Sequence, residues 1–179
     1  MKKIFALGLI VFLAVGVASG SITLKVASFS PTGTDFKNIY GGGITYGVDL
    51  SFTFAKDLEF WVGASTFSKR GKTSYTQEET SLSLIPISGG VKWQIITGKR
   101  VSPYIAVGVE YVLYKESNII GDINTGGVGF LGKGGALFHI SKSFGIDAYI
   151  VYSSCSMHPA DFAFNIGGLE FGAGIVYIF

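Results

Sequence analysis

Gly127, Gly132 and Lys133, inside the stretch GGVGFLGKGG (Gly126 to Gly135), have the spacing of a phosphate-cradling loop, G-x-x-x-x-G-K-[S/T], and the same window holds G-x-G-x-x-G. Such a loop needs backbone amides at the start of a helix to hold phosphate oxygens, with the lysine neutralising their charge. Gly134 stands where the Ser or Thr should be, and Ala136 to Ile140 continues as a strand. The nucleotide reading therefore fails on its surroundings. Cys155, His158 and Asp161 invite a metal or nucleophile reading, but a zinc site needs further ligands at suitable spacing, and the sequence offers none nearby. No cofactor is expected. Asp49, Glu59, Glu110, Asp147 and Glu170 could shift one another's protonation as catalytic carboxylates do. Lys25, Lys92 and Lys133 offer the simpler account, a hydrogen-bonded ionic network. Which account holds depends on where the backbone points these side chains.

Composition narrows the elements that carry them. The chain has 179 residues, enough for one domain, and only 15% are charged, well below the usual quarter or so of a soluble domain. Lys2 and Lys3, the apolar run Ile4 to Val17 and the small residues Ala18-Ser19-Gly20 read as an export leader. We expect residues 1–20 to be that leader, cut after Gly20 or alternatively after Ser19, and residues 21–179 to form the mature domain. Losing two lysines brings the basic count from 14 to 12, equal to the 12 acids, so nothing points to a nucleic-acid partner. Cys155 is the only cysteine, so no intrachain disulfide is available.

Beyond the leader no apolar run is long enough for a membrane-crossing helix. What recurs is alternation. In ITYGVDLSFTF, Ile44, Tyr46, Val48, Leu50, Phe52 and Phe54 fall on one face of a strand, with small or polar residues between them. The same reading places eight strands near 22–29, 43–54, 58–68, 82–95, 103–114, 128–140, 144–153 and 166–179. Short connections alternate with long ones at 30–42, 69–81, 115–127 and 154–165. Pro86 interrupts the fourth strand, and a bulge is expected there.

Parity then assigns each strand charge a face. Lys25, Asp49, Glu59, Lys92, Glu110, Lys133, Asp147 and Glu170 all fall opposite the aliphatic and aromatic set. A soluble barrel would expose the charged face, yet that wall would be far poorer in charge than a soluble surface. With the apolar face toward lipid, the charges meet in a lumen just wide enough for side chains to fill. Turning a lysine to the midplane instead would cost about 2–4 kcal/mol. The expected fold is all-β: an eight-stranded antiparallel up-and-down transmembrane barrel with short periplasmic turns and four longer extracellular loops. Phe52, Phe54, Phe60, Trp93, Tyr104, Phe138, Phe144, Tyr177 and Phe179 gather near the short turns as an interfacial girdle. Inward glycines (Gly47, Gly63, Gly108, Gly145, Gly172 and Gly174) reduce filling, whereas inward Trp61, Tyr104, Leu131, Leu137 and Tyr149 obstruct it. A porin-like wide channel is therefore not expected; a narrow pore for small solutes is the alternative to a filled barrel.

The ending GAGIVYIF (Gly172 to Phe179) resembles the last strand of outer-membrane β-barrel proteins, and IPISGGVKW with SPYIAVGVEY resembles central strands of the small OmpA/OmpX-like barrel family. The resemblance implies that Gly174, Tyr177 and Phe179 form the signal read by the barrel-assembly machinery. It also implies bacterial outer-membrane localisation among membrane lipid and lipopolysaccharide, with a structural or surface-interaction role in the cell envelope. Lys69, Arg70 and Lys72 could meet lipopolysaccharide phosphates, and Phe36, Tyr40, Tyr75, Phe162 and Phe164 could contact lipid or a partner, but an ordinary solvated basic rim above an outer aromatic girdle is the simpler reading. Some barrels of this size act on lipid A, and in the deacylase family a His-x-Ser motif lies near the outer end of the penultimate strand. Here that place reads Val151-Tyr152-Ser153, so the serine lacks its activating base. His139-Ile140-Ser141 keeps the spacing but abuts an inner turn. An enzyme is not expected.

Overall fold

The computed structural model describes residues 19–72, 79–95, 100–118, 121–157 and 164–179. In chain order these contain strand β1 (Gly20–Pro31), helix α1 (Thr34–Tyr40), β2 (Gly43–Ala55), β3 (Leu58–Lys72), β4 (Glu79–Gln94), β5 (Val101–Asn118), β6 (Gly121–His139), β7 (Phe144–Met157), a two-residue strand β8 (Phe164–Asn165) and β9 (Gly168–Ile178). Every neighbouring pair is antiparallel, and β6 pairs with β7 to close the series β6-β5-β4-β3-β2-β1-β9-β7 into a ring of eight. β8 lies outside that ring, paired only to the end of β7. Closure leaves the barrel wall without an open edge, the condition a sheet must meet to cross hydrocarbon.

The alternation in the sequence becomes two faces of one wall. Leu24, Val48, Val62, Ile87, Val107, Phe130, Ile146 and Ile175, one from each wall strand, are exposed outward. Phe130 is 71% and Val107 68% exposed, whereas Asp49, on the other face, is 4% exposed. The packed interior is the lumen.

The turns follow from their residues. Lys56-Asp57 joins β2 to β3 with Asp57 at φ 64°, a left-handed conformation that Asp tolerates better than most residues. After β6, the Ser141 hydroxyl accepts hydrogen bonds from the Ser143 and Phe144 amides at 3.3 and 3.0 Å. The turn around 96–99 lies outside the described residues.

Three expectations change. The segment 115–127, read as a loop, is mostly paired strand: β5 and β6 stay in register up to Asn118 opposite Gly121. Its polar residues mark the height at which the wall leaves the apolar belt, not the end of pairing. Pro86 makes no bulge. The β4 register is unchanged on both sides of it, and the ladder merely lapses on the β3 side between the pairs Ala64–Ile87 and Phe67–Leu84, where proline has no N–H to donate. The one β2–β3 register shift comes instead at Thr53–Ala55. Finally, the first long connection contains helix α1, whose Phe36, Ile39 and Tyr40 follow the i, i+3, i+4 spacing of an apolar face. Gly41, at φ 65°, ends the helix and its amide donates to Lys37 O at 2.9 Å.

Candidate lumen and rim sites

The lumen holds two kinds of filling. Toward the short turns it is ionic. Lys25 Nζ lies 2.6 Å from Asp49 Oδ1, and Lys133 Nζ lies 3.0 Å from Asp49 Oδ2 and 3.8 Å from Asp147 Oδ2. Asp49 belongs to β2 and Lys133 to β6, four strands apart in either direction round the ring, so their ion pair spans the lumen. The Tyr104 hydroxyl donates to Asp147 Oδ2 at 2.8 Å. Lys133 Nζ also stands 4.5 Å from the ring centroid of Tyr149, 5.7 Å from that of Tyr104 and 6.0 Å from that of Trp61, within the range of cation–π attraction. One ammonium thus serves two carboxylates and three aromatic faces. Nearer the short turns, Lys92 pairs with Glu59, donates to Ser51 Oγ at 3.2 Å, and is joined by Gln94, which donates to Glu59. Glu110 and Glu170 sit outside both clusters and line a small cavity together with Ser153.

The inward glycines do not leave the lumen open. A Cβ on Gly172 would collide with the ring of Tyr149, one on Gly135 would stand 2.6 Å from the Tyr104 hydroxyl, and one on Gly108 would stand 3.0 Å from the Trp61 ring. At these three positions the missing side chain makes room for an aromatic one, whereas Gly63 makes room for Asp49 and Gly47 for Lys25. Tyr104 itself faces inward, buried and bonded to Asp147, so it is not part of the outer girdle. Phe54, Phe60, Trp93, Phe138, Phe144, Tyr177 and Phe179 are exposed outward, and Phe52 is half-buried.

Toward the long connections the filling is apolar. Phe29, Phe36, Tyr40, Phe67, Leu82, Leu84, Val112, Tyr114, Cys155, Met157 and Ile166 form one buried cluster. Helix α1 closes it from above: Phe36 is 3% and Tyr40 6% exposed. These two aromatics therefore point into the barrel, correcting the expectation that they meet lipid or a partner; burial of their rings is the reason. Tyr75 and Phe162, and the side chain of Phe164, lie outside the described residues. The Tyr40 hydroxyl is 3.4 Å from Thr80 Oγ1, which donates to Glu116 Oε1 at 3.0 Å, and the Tyr114 hydroxyl donates to Glu116. Burial pushes the Tyr40 phenol up to about 12; the Thr80 hydrogen bond works against that shift and nearby Glu116 with it.

The remaining candidates have ordinary settings. Gly126 to Gly135 lies wholly within β6, and Lys133 belongs to the ionic filling. Cys155 is fully buried in the apolar cluster; His158 and Asp161 lie outside the described residues. Ser153 accepts from the Gly168 amide at 3.4 Å, while His139 Nε2 is 3.2 Å from Ser102 Oγ at the other end of the β6–β7 ladder. On the outer rim Lys69 Nζ donates to Gly42 O at 3.1 Å, Arg70 is exposed, and the Lys72 side chain is outside the described residues.

Sequence reasoning missed Lys115. It is exposed on the outward face of β5, level with Ser83 of β4, and Arg70 of β3 is level with Ser81. The signal was its odd-numbered parity with Tyr111 and Leu113, hidden by reading 115–127 as a loop.

At the C-terminus, a Cβ on Gly174 would stand 2.6 Å from Thr23 Cγ2 and 2.9 Å from Leu24 O, so close β1–β9 packing favours glycine there. The rings of Phe144 and Tyr177 lie 5.3 Å apart, and those of Tyr177 and Phe179 6.3 Å apart.

The sequence matches no family model and no curated protein. Solved structures do resemble it. Neisserial surface protein A superposes with a TM-score of 0.64 at 16% identity, over 89% of this chain and 98% of that one. The N-terminal β-barrel domain of Pseudomonas aeruginosa OprF gives 0.59 at 13% identity, covering 90% and 97%. The Yersinia pestis attachment invasion locus protein, Ail, gives 0.54 at 19% identity, covering 90% and 98%. The chain therefore has the closed, antiparallel, eight-stranded up-and-down barrel fold that small outer-membrane proteins share.

Proposed function

We propose that the chain is an integral protein of the bacterial outer membrane, exported through its N-terminal leader, whose filled barrel has a structural or surface-interaction role in the cell envelope. One observation carries the reading: an exposed apolar residue on every wall strand surrounds a lumen in which the charges are buried. A soluble protein rarely exposes a contiguous apolar patch beyond a few hundred Å², whereas hydrocarbon is the solvent this belt fits. The ion pair across the lumen opposes a continuous water path at its level, which favours a filled barrel over a narrow pore.

The outer rim supports a lipopolysaccharide contact. Arg70 and Lys115 project outward on either side of β4, with Ser81 and Ser83 between them and apolar Ile85 and Leu113 on the membrane side. Cations and hydroxyls above an apolar wall suit a phosphorylated lipid, whose phosphates meet the rim while its acyl chains meet the belt. Lys69 falls on the opposite face of β3 from Arg70 and donates to Gly42 O, so the outward rim rests on Arg70 and Lys115. Gly174, Tyr177 and Phe179 are proposed as the segment recognised by the barrel-assembly machinery.

Electrophoresis of detergent-folded protein with and without boiling tests the barrel. The unheated sample should run at a different mobility, and equal mobilities defeat the proposal. Vesicles containing lipid A should retain the folded protein better than phosphatidylcholine vesicles alone. The difference should shrink in the paired variant Arg70→Ala, Lys115→Ala; an undiminished difference removes the rim from the argument.

A further inference from the structure

The barrel seam uses two residues that the leader motif also claims. Gly20 opposes Phe52 of β2, and it exchanges both backbone hydrogen bonds with the last residue, Phe179: Gly20 N to Phe179 O at 2.9 Å and Phe179 N to Gly20 O at 3.0 Å. Ser19 O accepts from the Thr53 amide at 3.2 Å, and Ser19 Oγ donates to Thr53 Oγ1 at 3.1 Å. These contacts tie the start of β1 to both its neighbours. A cut after Gly20 removes all of them and leaves the Phe179 amide without its partner. A cut after Ser19 keeps the Phe179 exchange but loses Thr53.

Gly20 also has a packing reason to be small. A Cβ there would lie 2.9 Å from both Ser51 O and the Phe179 ring. The glycine that looks like a peptidase recognition residue is thus explained by the seam. Two residues upstream, Gly16-Val17-Ala18 supplies a small-x-small sequence of the kind a signal peptidase accepts.

We infer that the processing site is the Ala18–Ser19 bond, and that Ser19 is the first residue of the mature barrel. This rests on the export reading above. A leader peptidase would hydrolyse the bond with one water: the Ala18 carbonyl carbon–Ser19 nitrogen bond breaks, oxygen joins Ala18 as a carboxylate, and Ser19 nitrogen becomes an ammonium. Ser19 lines a cavity of about 200 Å³ at the short-turn mouth together with Asp57, Glu59 and Lys92. The new cation therefore enters a mouth that carries two carboxylates and one ammonium.

The full chain, expressed with its own leader in a Gram-negative host, provides the test. N-terminal sequencing and intact mass of the protein from outer membranes should give Ser19 as the first residue. A start at Gly20 or Ser21 overturns the assignment. Refolded chains beginning at Ser19 and at Ser21 should differ in urea midpoint, with the shorter one lower; equal midpoints overturn the seam argument. A chain that stays uncleaved in the cytoplasm defeats the export reading, whereas a cleaved chain with another start defeats only the choice of bond.

Discussion

Around Asp49 and Lys133 the lumen is filled by charges and the rings that surround them, whereas above Glu110 it is filled by hydrocarbon capped with a short helix. The two fillings answer different constraints. In the membrane-spanning part a strand charge must turn inward, and the narrow interior then obliges it to find a partner. Toward the outer end water is available, and polar side chains there would cost little; the chain nevertheless folds Phe36 and Tyr40 back into the barrel. The apolar plug keeps solvent from the ionic filling on that side, and ion pairs strengthen as the effective dielectric falls. Hydrocarbon above and charge below act as one closure.

Removing the hub should separate the two regions most strongly. Lys133→Ala leaves Asp147 without the cation nearest to it, though Tyr104 still donates, and leaves Asp49 with Lys25 alone. Breaking a buried pair from one side costs about 3–5 kcal/mol, which urea unfolding in lipid vesicles should register. A loss below about 1 kcal/mol would mean that the pair behaves as though solvated.

Phe67→Ala attacks the plug, where Phe67 meets Phe29 edge-on at 5.3 Å. We expect about 3 kcal/mol, the lower end for a buried Phe, because the rim above can settle into the gap. The sharper readout is coupling: if the plug shields the ionic filling, the double variant with Lys133→Ala should lose less than the sum of the single losses. Strict additivity would make the two regions independent.

The smallest effect should come from alkali. The Tyr40 phenol is pushed up to about 12 by burial, above its free value near 10. A group with a raised folded pKa contributes stability that is fully present below the unfolded value and is lost as pH rises through the folded one. The plug should therefore loosen between about pH 10 and pH 12. Phenolate absorbance, compared with Tyr40→Phe, checks this; ionisation of Tyr40 at its free value would place the ring in water.

Much of this was legible from parity alone. A strand residue's side follows from whether its number is odd or even, and each charge that parity turned inward is at least partly buried, from Lys25 to Glu170. Tyr104 shows where that logic needs to be applied consistently: composition put it with the girdle aromatics, but its parity turned it inward, where the fold sets it against Asp147. The inward glycines misled because an absent side chain reads as space, while the ring that occupies the space belongs to another strand, as with Gly172 and Tyr149. Lys115 was hidden because polarity was taken for a loop. Helix α1 had no strong local signal, being only seven residues long, and it stands by packing its aromatics into the barrel.

The order of residues by itself determined the wall: period-two alternation, punctuated by turn residues, fixes which side chains meet hydrocarbon and which are enclosed. Only the tertiary structure decided who meets whom across the enclosure. Asp49 and Lys133 are 84 residues apart, and their contact at 3.0 Å exists because ring closure sets β2 against β6. Parity is a local property of the chain; partnership across a lumen depends on strand number and register, which no short stretch of sequence contains.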